Sequence, residues 1–172
     1  MSVKIENFEI RKVEVSDYKE LLDFMKIVMG ETDYLSRSSD EFKMTYEDEK
    51  KFLEEVKASD VSEMFIAFYQ GKQVGNIIFR GNELKRARHY GNIGISVLKE
   101  YWGNNIGSKL IDRIIEWAKE NGIKKINLEV FENNERAIKL YERKGFKLEG
   151  NIEMARYVNG EYKNLLIYGL IV

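Results

Sequence analysis

Residues 92–120, NIGISVLKEYWGNNIGSKLIDRIIEWAKE, limit the folds open to this chain more than any other stretch. Residues 92–97 have the apolar, β-branched character of a buried strand. Leu110, Ile111, Ile114, Ile115 and Ala118 then fall at helical spacing and form one apolar face. A strand that feeds a helix through one short loop belongs to a mixed α/β architecture. The loop EYWGNNIGS has an unusual content, with two glycines and two asparagines. Such a loop aims the first backbone N–H groups of the helix outward, where they carry partial positive charge and suit a phosphate. Gly103, Asn104, Asn105 and Gly107 tolerate the positive φ values that a close backbone approach demands. A plain turn followed by a helix cap would use the same residues. The glycine spacing is not that of a dinucleotide fingerprint, and no acidic residue ends the next strand where a ribose would sit.

The remaining elements support the mixed class. Residues 10–15 read as a first strand, and Asp17 with Glu20 resembles a capping box that opens a helix bearing Tyr18, Leu21, Leu22, Met25, Val28 and Met29, with Gly30 ending it. Residues 31–44 are polar and irregular. Thr45, followed by Glu47 and Asp48, caps a second helix with Phe52, Leu53 and Val56 inward. Runs 64–69 and 73–79 flank a hairpin turn at Gln70-Gly71-Lys72, and residues 81–88 form another turn. Asn121-Gly122 stops the central helix, residues 126–131 form a strand, and residues 134–144 form a helix closed by Gly145. Runs 152–158 and 162–170 flank Asn159-Gly160, a strong hairpin signal. The expected fold is one α/β domain over residues 1–172.

Charge and composition exclude several functions. Lys and Arg number 28 against 29 Asp and Glu, so no overall basic field attracts nucleic acid. Cysteine is absent, which removes disulfides, thiolate nucleophiles and cysteine metal sites; His89 is the sole histidine, and no carboxylate spacing marks a metal site. The N-terminus alternates charged and apolar residues unlike a signal peptide, and the apolar run 165–172 is too short to span a bilayer. A cytoplasmic protein without a membrane or nucleic-acid partner is the expectation.

Two segments, VLKEYWGNNIGSKL and NERAIKLYERKGF, together resemble the GNAT superfamily of acyl-coenzyme A dependent N-acetyltransferases, in order and spacing, across about the second half of the chain. The resemblance implies a mostly antiparallel, twisted sheet of about seven strands, flanked by helices on both faces and splayed where the acyl-coenzyme A sits. It implies acetyl-coenzyme A as cofactor and an amine as its partner substrate; relatives are often homodimers. The family loop reads Arg or Gln, two residues, Gly, one residue, then Gly or Ala. Here those positions hold Trp102, Gly103, Asn104, Asn105, Ile106 and Gly107, so the first cation and the central glycine are replaced. By the same resemblance Val97 pairs with the pantetheine arm, residues 103–108, including Ser108, hold the diphosphate, and Asn134, Ala137 and Lys144 contact the coenzyme from the later helix. Asn134 also suits a plain N-cap.

Acetyl transfer to an amine needs a neutral amine, an orienting site and stabilisation of the departing thiolate. Tyr141 falls where the family commonly places a tyrosine beside the coenzyme sulfur; packing against Ala137 and Ile138 as a core aromatic is the alternative. Where many relatives carry a Glu base this chain has Asn92, leaving His89 or a water chain to accept the proton. The acidic loop with Glu31, Tyr34, Leu35 and Glu41 suits a cationic amine with an apolar stem, or is an ordinary surface loop. The C-terminal stretch GFKLEGNIEMARYVNGEYKN resembles both bacterial spermidine N-acetyltransferases and enzymes that acetylate the N-termini of ribosomal proteins, and does not choose between a polyamine and a peptide amine. A non-catalytic coenzyme A sensor is the rival from another class.

Overall fold

The computed structural model describes residues 3–172. Seven strands form one sheet in the order β1-β2-β3-β4-β5-β7-β6. They are β1 (Glu9–Lys12), β2 (Ser62–Tyr69), β3 (Lys72–Gly81), β4 (Tyr90–Val97), β5 (Lys125–Phe131), β6 (Lys147–Val158) and β7 (Glu161–Ile171); the helices are α1 (Tyr18–Glu31), α2 (Tyr46–Ala58), α3 (Ile106–Glu120) and α4 (Glu135–Arg143). Every neighbouring pair is antiparallel except β4 and β5. Both tight hairpins are made as their sequences demand. Gln70 and Gly71, then Asn159 and Gly160, all take positive φ, the type I′ geometry whose twist matches that of the strands it joins.

Strand periodicity assigns the helices to opposite faces. A Cβ on Gly75 would meet Ile106 and Leu110, so odd-numbered β3 residues face α3. The Asn76 amide contacts Met25 Sδ of α1, and the Arg80 guanidinium lies over Phe52 of α2, so even-numbered residues face those helices. The α3 stripe is Leu110, Ile111, Ile114, Trp117 and Ala118, all buried. Full burial of each large aliphatic side chain there stabilises by about 1.5–3 kcal/mol. Trp117 rather than Ile115 completes that stripe, its ring tilted against Phe79 at 5.4 Å between centroids.

Three local expectations are corrected. The first strand stops at Lys12 because Glu14 begins a 3-10 turn, Val15–Asp17. Asp17 does not cap α1: its carboxylate pairs with Arg11 and accepts the Glu14 N–H at 2.8 Å, while Glu20 reaches across to the Gln73 N–H at 2.8 Å. The strand expected from residue 152 begins at Lys147, since two register shifts let a long, irregular edge strand stay paired to β7. Thr45 and Asp48, by contrast, form a complete capping box on α2.

Candidate active site

Beta-strands 4 and 5 pair over three residues only, Tyr90–Asn92 against Lys125–Asn127. Beyond Asn92 they diverge, while β4 stays bound to β3 and β5 to β7. The inner edges of residues 93–97 and 128–131 therefore have no strand between them, and a polar backbone edge must find other partners. A cleft of about 960 Å³ opens at this splay. It is lined by Asn92 and residues 93–97 of β4, Glu129 and Val130 of β5, the loop 32–36 after α1, the start of α3 and the inner side of α4.

The start of α3 is built to face an anion. Gly103 has φ +87°, Asn105 stands in the left-handed region at φ 61°, and the side chain of Asn105 caps nothing. The first turn contains no acidic residue. The N–H groups of Ile106, Gly107 and Ser108 precede the first helical bond, from Lys109 N–H to the Asn105 carbonyl, and open toward the cleft. Ile106 offers only its backbone, its side chain being buried in the core. A Cβ on Gly107 would stand 3.3 Å from Leu140 of α4, so the glycine lets the two helices close on each other at the cleft wall.

Trp102, standing where the family loop has a cation, holds one in place. Its indole N–H donates to the Val97 carbonyl at 2.8 Å, and the Arg136 guanidinium lies 4.3 Å from its ring centroid. Arg136 also lines the cleft, and burial lowers its pKa from the ordinary arginine value. The charge missing from the loop thus comes from α4. Because the indole occupies the Val97 carbonyl, residues 93–96 supply the freer backbone edge. Sequence reasoning missed Arg136; its position two residues after Asn134, one turn before Leu140 and Tyr141, was the available signal.

The other expected residues divide sharply. Val97, Trp102, Gly103, Asn105, Ile106, Gly107, Ser108, Asn134, Ala137, Tyr141, Tyr34, Leu35 and Asn92 all line the cleft. Asn134 is at once a cleft residue and the α4 N-cap, accepting the Ala137 N–H at 3.3 Å. Asn104 turns away: its side chain donates to the Val3 and Tyr101 carbonyls and accepts the Ile5 N–H, tying down the N-terminal segment. Lys144 is engaged by Asp112 of α3 at 2.6 Å and lies outside the lining. Glu31 accepts the Lys99 N–H at 2.8 Å, and Glu41 accepts from the Ser38 backbone and hydroxyl. His89 is exposed beyond the closed end of the splay, beside Tyr90, with its carbonyl bound to the Lys124 and Lys125 N–H groups. None of these three lines the cleft.

Tyr141 is 7% exposed and packs against Phe146 at 5.9 Å, combining the core and cleft readings of its sequence position. Burial alone pushes its phenol up to about 12. With a thiol near ~8.5, full proton transfer from this phenol is uphill, and hydrogen-bond donation is the chemistry it suits. On the opposite face Glu49 of α2 is 3% exposed, and burial raises its carboxyl to about 7 against a weaker lowering by Arg80. Arg80 lines the cleft beside Asn92, its partner in the β3–β4 register.

The chain is similar to known proteins in sequence and fold. A profile of the Acetyltransferase (GNAT) family matches residues 30–146. The N-alpha-acetyltransferase MAK3 of Arabidopsis thaliana is 37% identical over 83 residues, 48% of this chain and 43% of that protein. The L-amino acid N-acetyltransferase AaaT of Escherichia coli (strain K12) is 31% identical over 99 residues, 56% of this chain and 60% of that protein. The chain thus spans about half the length of these two relatives. The crystal structure of an acetyltransferase of the GNAT family from Streptococcus pneumoniae has a TM-score of 0.93 and 34% identity, covering 96% of this chain and all of that one. With the profile spanning most of the sequence and the fold shared with a family member from end to end, the chain belongs to the GNAT acetyltransferase family.

Proposed function

We propose that this chain is an acetyl-coenzyme A dependent N-acetyltransferase in which a primary amine, of a small molecule or a peptide, attacks the thioester directly. The observation that carries the reading is the continuity of two features: the open splay between β4 and β5 runs straight into the uncapped start of α3. The donor set suits the coenzyme. The N–H groups of Ile106, Gly107 and Ser108 would hold the diphosphate, with Arg136 on Trp102 adding the cation that the loop lacks. The unpaired edge of residues 93–96 would take the amide-bearing arm as a sheet takes an added strand. When bound, the coenzyme supplies an acetyl group on a thiolate leaving group.

The chain's own residues would do the rest. Tyr141 would donate a hydrogen bond toward the sulfur and remain neutral throughout, as its raised pKa requires. Asn92 carries no basic group and His89 stands outside the cleft, so Glu129 on the cleft wall, directly or through water held along the splay, would take the proton from the ammonium. Tyr34, whose ring lies 6.1 Å from Phe131 and whose hydroxyl reaches the Asn133 carbonyl, would roof the acceptor side. Among the described residues no helix is long and apolar enough to cross a membrane.

The test is thiol release from acetyl-coenzyme A, followed continuously with a panel of amines. Release that depends on an added amine supports the reading. Tight coenzyme binding without amine-dependent release would instead identify a coenzyme sensor.

A further inference from the structure

The acceptor side of the cleft carries a cation, Arg80, that the acidic loop in the sequence does not foretell. Arg80, Asn92 and Gly94 lie on the face of the sheet covered by α1 and α2, away from α3, because Arg80 pairs with Asn92 in register and even-numbered β3 residues face that way. An acceptor reaching the splay from this side, opposite the coenzyme's diphosphate, meets Arg80 at the closed end. Gly94, one pleat further on, presents no side chain, and a Cβ there would find only Ile78 at 3.7 Å. The floor between Arg80 and the open part of the splay is therefore clear.

The Arg80 guanidinium stacks on Phe52, its centre 5.6 Å from the ring centroid, and remains exposed to the cleft. Burial and the like charge of Arg37 disfavour its ionised form, and Glu49 acts on it through space in the other direction. Glu49 cannot neutralise it fully, since burial keeps that carboxyl partly protonated near neutral pH. On the opposite wall Glu129 lines the same cleft and meets Arg156 only at 3.9 Å. Glu31 and Glu41, the carboxylates that would draw a polyamine, are bound elsewhere.

We propose that the acceptor is an amine carrying a carboxylate close to its nitrogen, as an α-amino acid does, with Arg80 binding the carboxylate and Glu129 drawing the ammonium toward the splay. This rests on the acetyltransferase reading above. A planar guanidinium fixed on an aromatic face presents paired donors that match a carboxylate, and a polycation in the same place would be repelled by Arg80 and Arg37.

The experiment compares matched acceptors on the full chain: free amino acids, the same amino acids as primary amides, and spermidine. The wild type should use the acids with kcat/KM at least about tenfold above their amides, the scale of one charge-assisted contact. Arg80→Gln should lower kcat/KM for the acids at least about tenfold more than for the amides, chiefly through KM, and Arg80→Lys should recover part of the preference. Amides or spermidine used as well as the acids by the wild type, or equal losses on acids and amides in Arg80→Gln, would overturn the proposal. If no amine releases thiol, the acetyltransferase reading has failed instead. Calorimetric titration of the same acid and amide pair then decides the carboxylate site alone: tighter acid binding that Arg80→Gln abolishes supports it, and equal binding overturns it. Circular dichroism of each variant guards against loss of fold.

Discussion

Glu49 offers a quantitative test of the acceptor face. It sits 3% exposed at the first turns of α2, and burial raises its carboxyl from 4.5 to about 7. A carboxyl whose pKa rises on folding keeps its proton in the folded chain at pH values where the unfolded chain has lost it. Stability is therefore full below the unfolded value and falls as pH rises through about 7. The interval from 4.5 to about 7, at ~1.4 kcal/mol per unit, sets a ceiling of about 3 kcal/mol. Relaxation and water reaching the carboxyl reduce this to about 1–2 kcal/mol. Gln mimics the protonated acid in shape and cannot ionise. Glu49→Gln should thus match the wild type within ~0.5 kcal/mol near pH ~4 and exceed its stability by about 1–2 kcal/mol near pH ~8. Urea denaturation of both proteins across that range measures the difference, with other titrating groups cancelling between them. A difference that stays constant with pH, or that favours the wild type at the alkaline end, would refute the burial argument. It would also remove the reason for treating Arg80 as incompletely neutralised.

Other outcomes follow from the coenzyme side. Tyr141→Phe should lower kcat at least about tenfold, as removal of one donor to developing charge does, while coenzyme affinity changes by less than about threefold; stopped assays of turnover beside direct titration read both. Gly107→Glu should abolish coenzyme binding, because a side chain there meets Leu140 at 3.3 Å from its first carbon and carries negative charge to the start of α3. Titration of the folded variant that still returned wild-type affinity would place the diphosphate elsewhere.

Several elements were legible because local chemistry decides them. Asn159-Gly160 and Gln70-Gly71 take the two successive positive φ values of a type I′ turn, and Thr45 with Asp48 closes a capping box, with no need of distant partners. Of the four loop residues expected to supply positive φ, Gly103 and Asn105 do, while Asn104 and Gly107 do not. Asp17 was misread because its carboxylate answers to Arg11, a partner outside the helix it precedes. Lys144, Glu31 and Glu41 carry suitable charges, yet Lys144 and Glu31 are engaged by Asp112 and the Lys99 N–H through contacts fixed only when the chain folds, and Glu41 turns back on Ser38 within its own loop. Arg80 was missed entirely. Its place beside Asn92 depends on the β3–β4 register, and its exposure depends on β4 parting from β5; neither is written in the residues around it. Arg136 owes its role to a tryptophan 34 positions earlier, which lies 4.3 Å away only in the fold.

A crystal structure of the chain with coenzyme A bound would test the central claim most directly. The diphosphate oxygens should lie about 3 Å from the backbone nitrogens of Gly107 and Ser108, with the arm running along residues 93–96. A coenzyme bound away from the start of α3, or a splay left empty while the coenzyme sits on another surface, would contradict it.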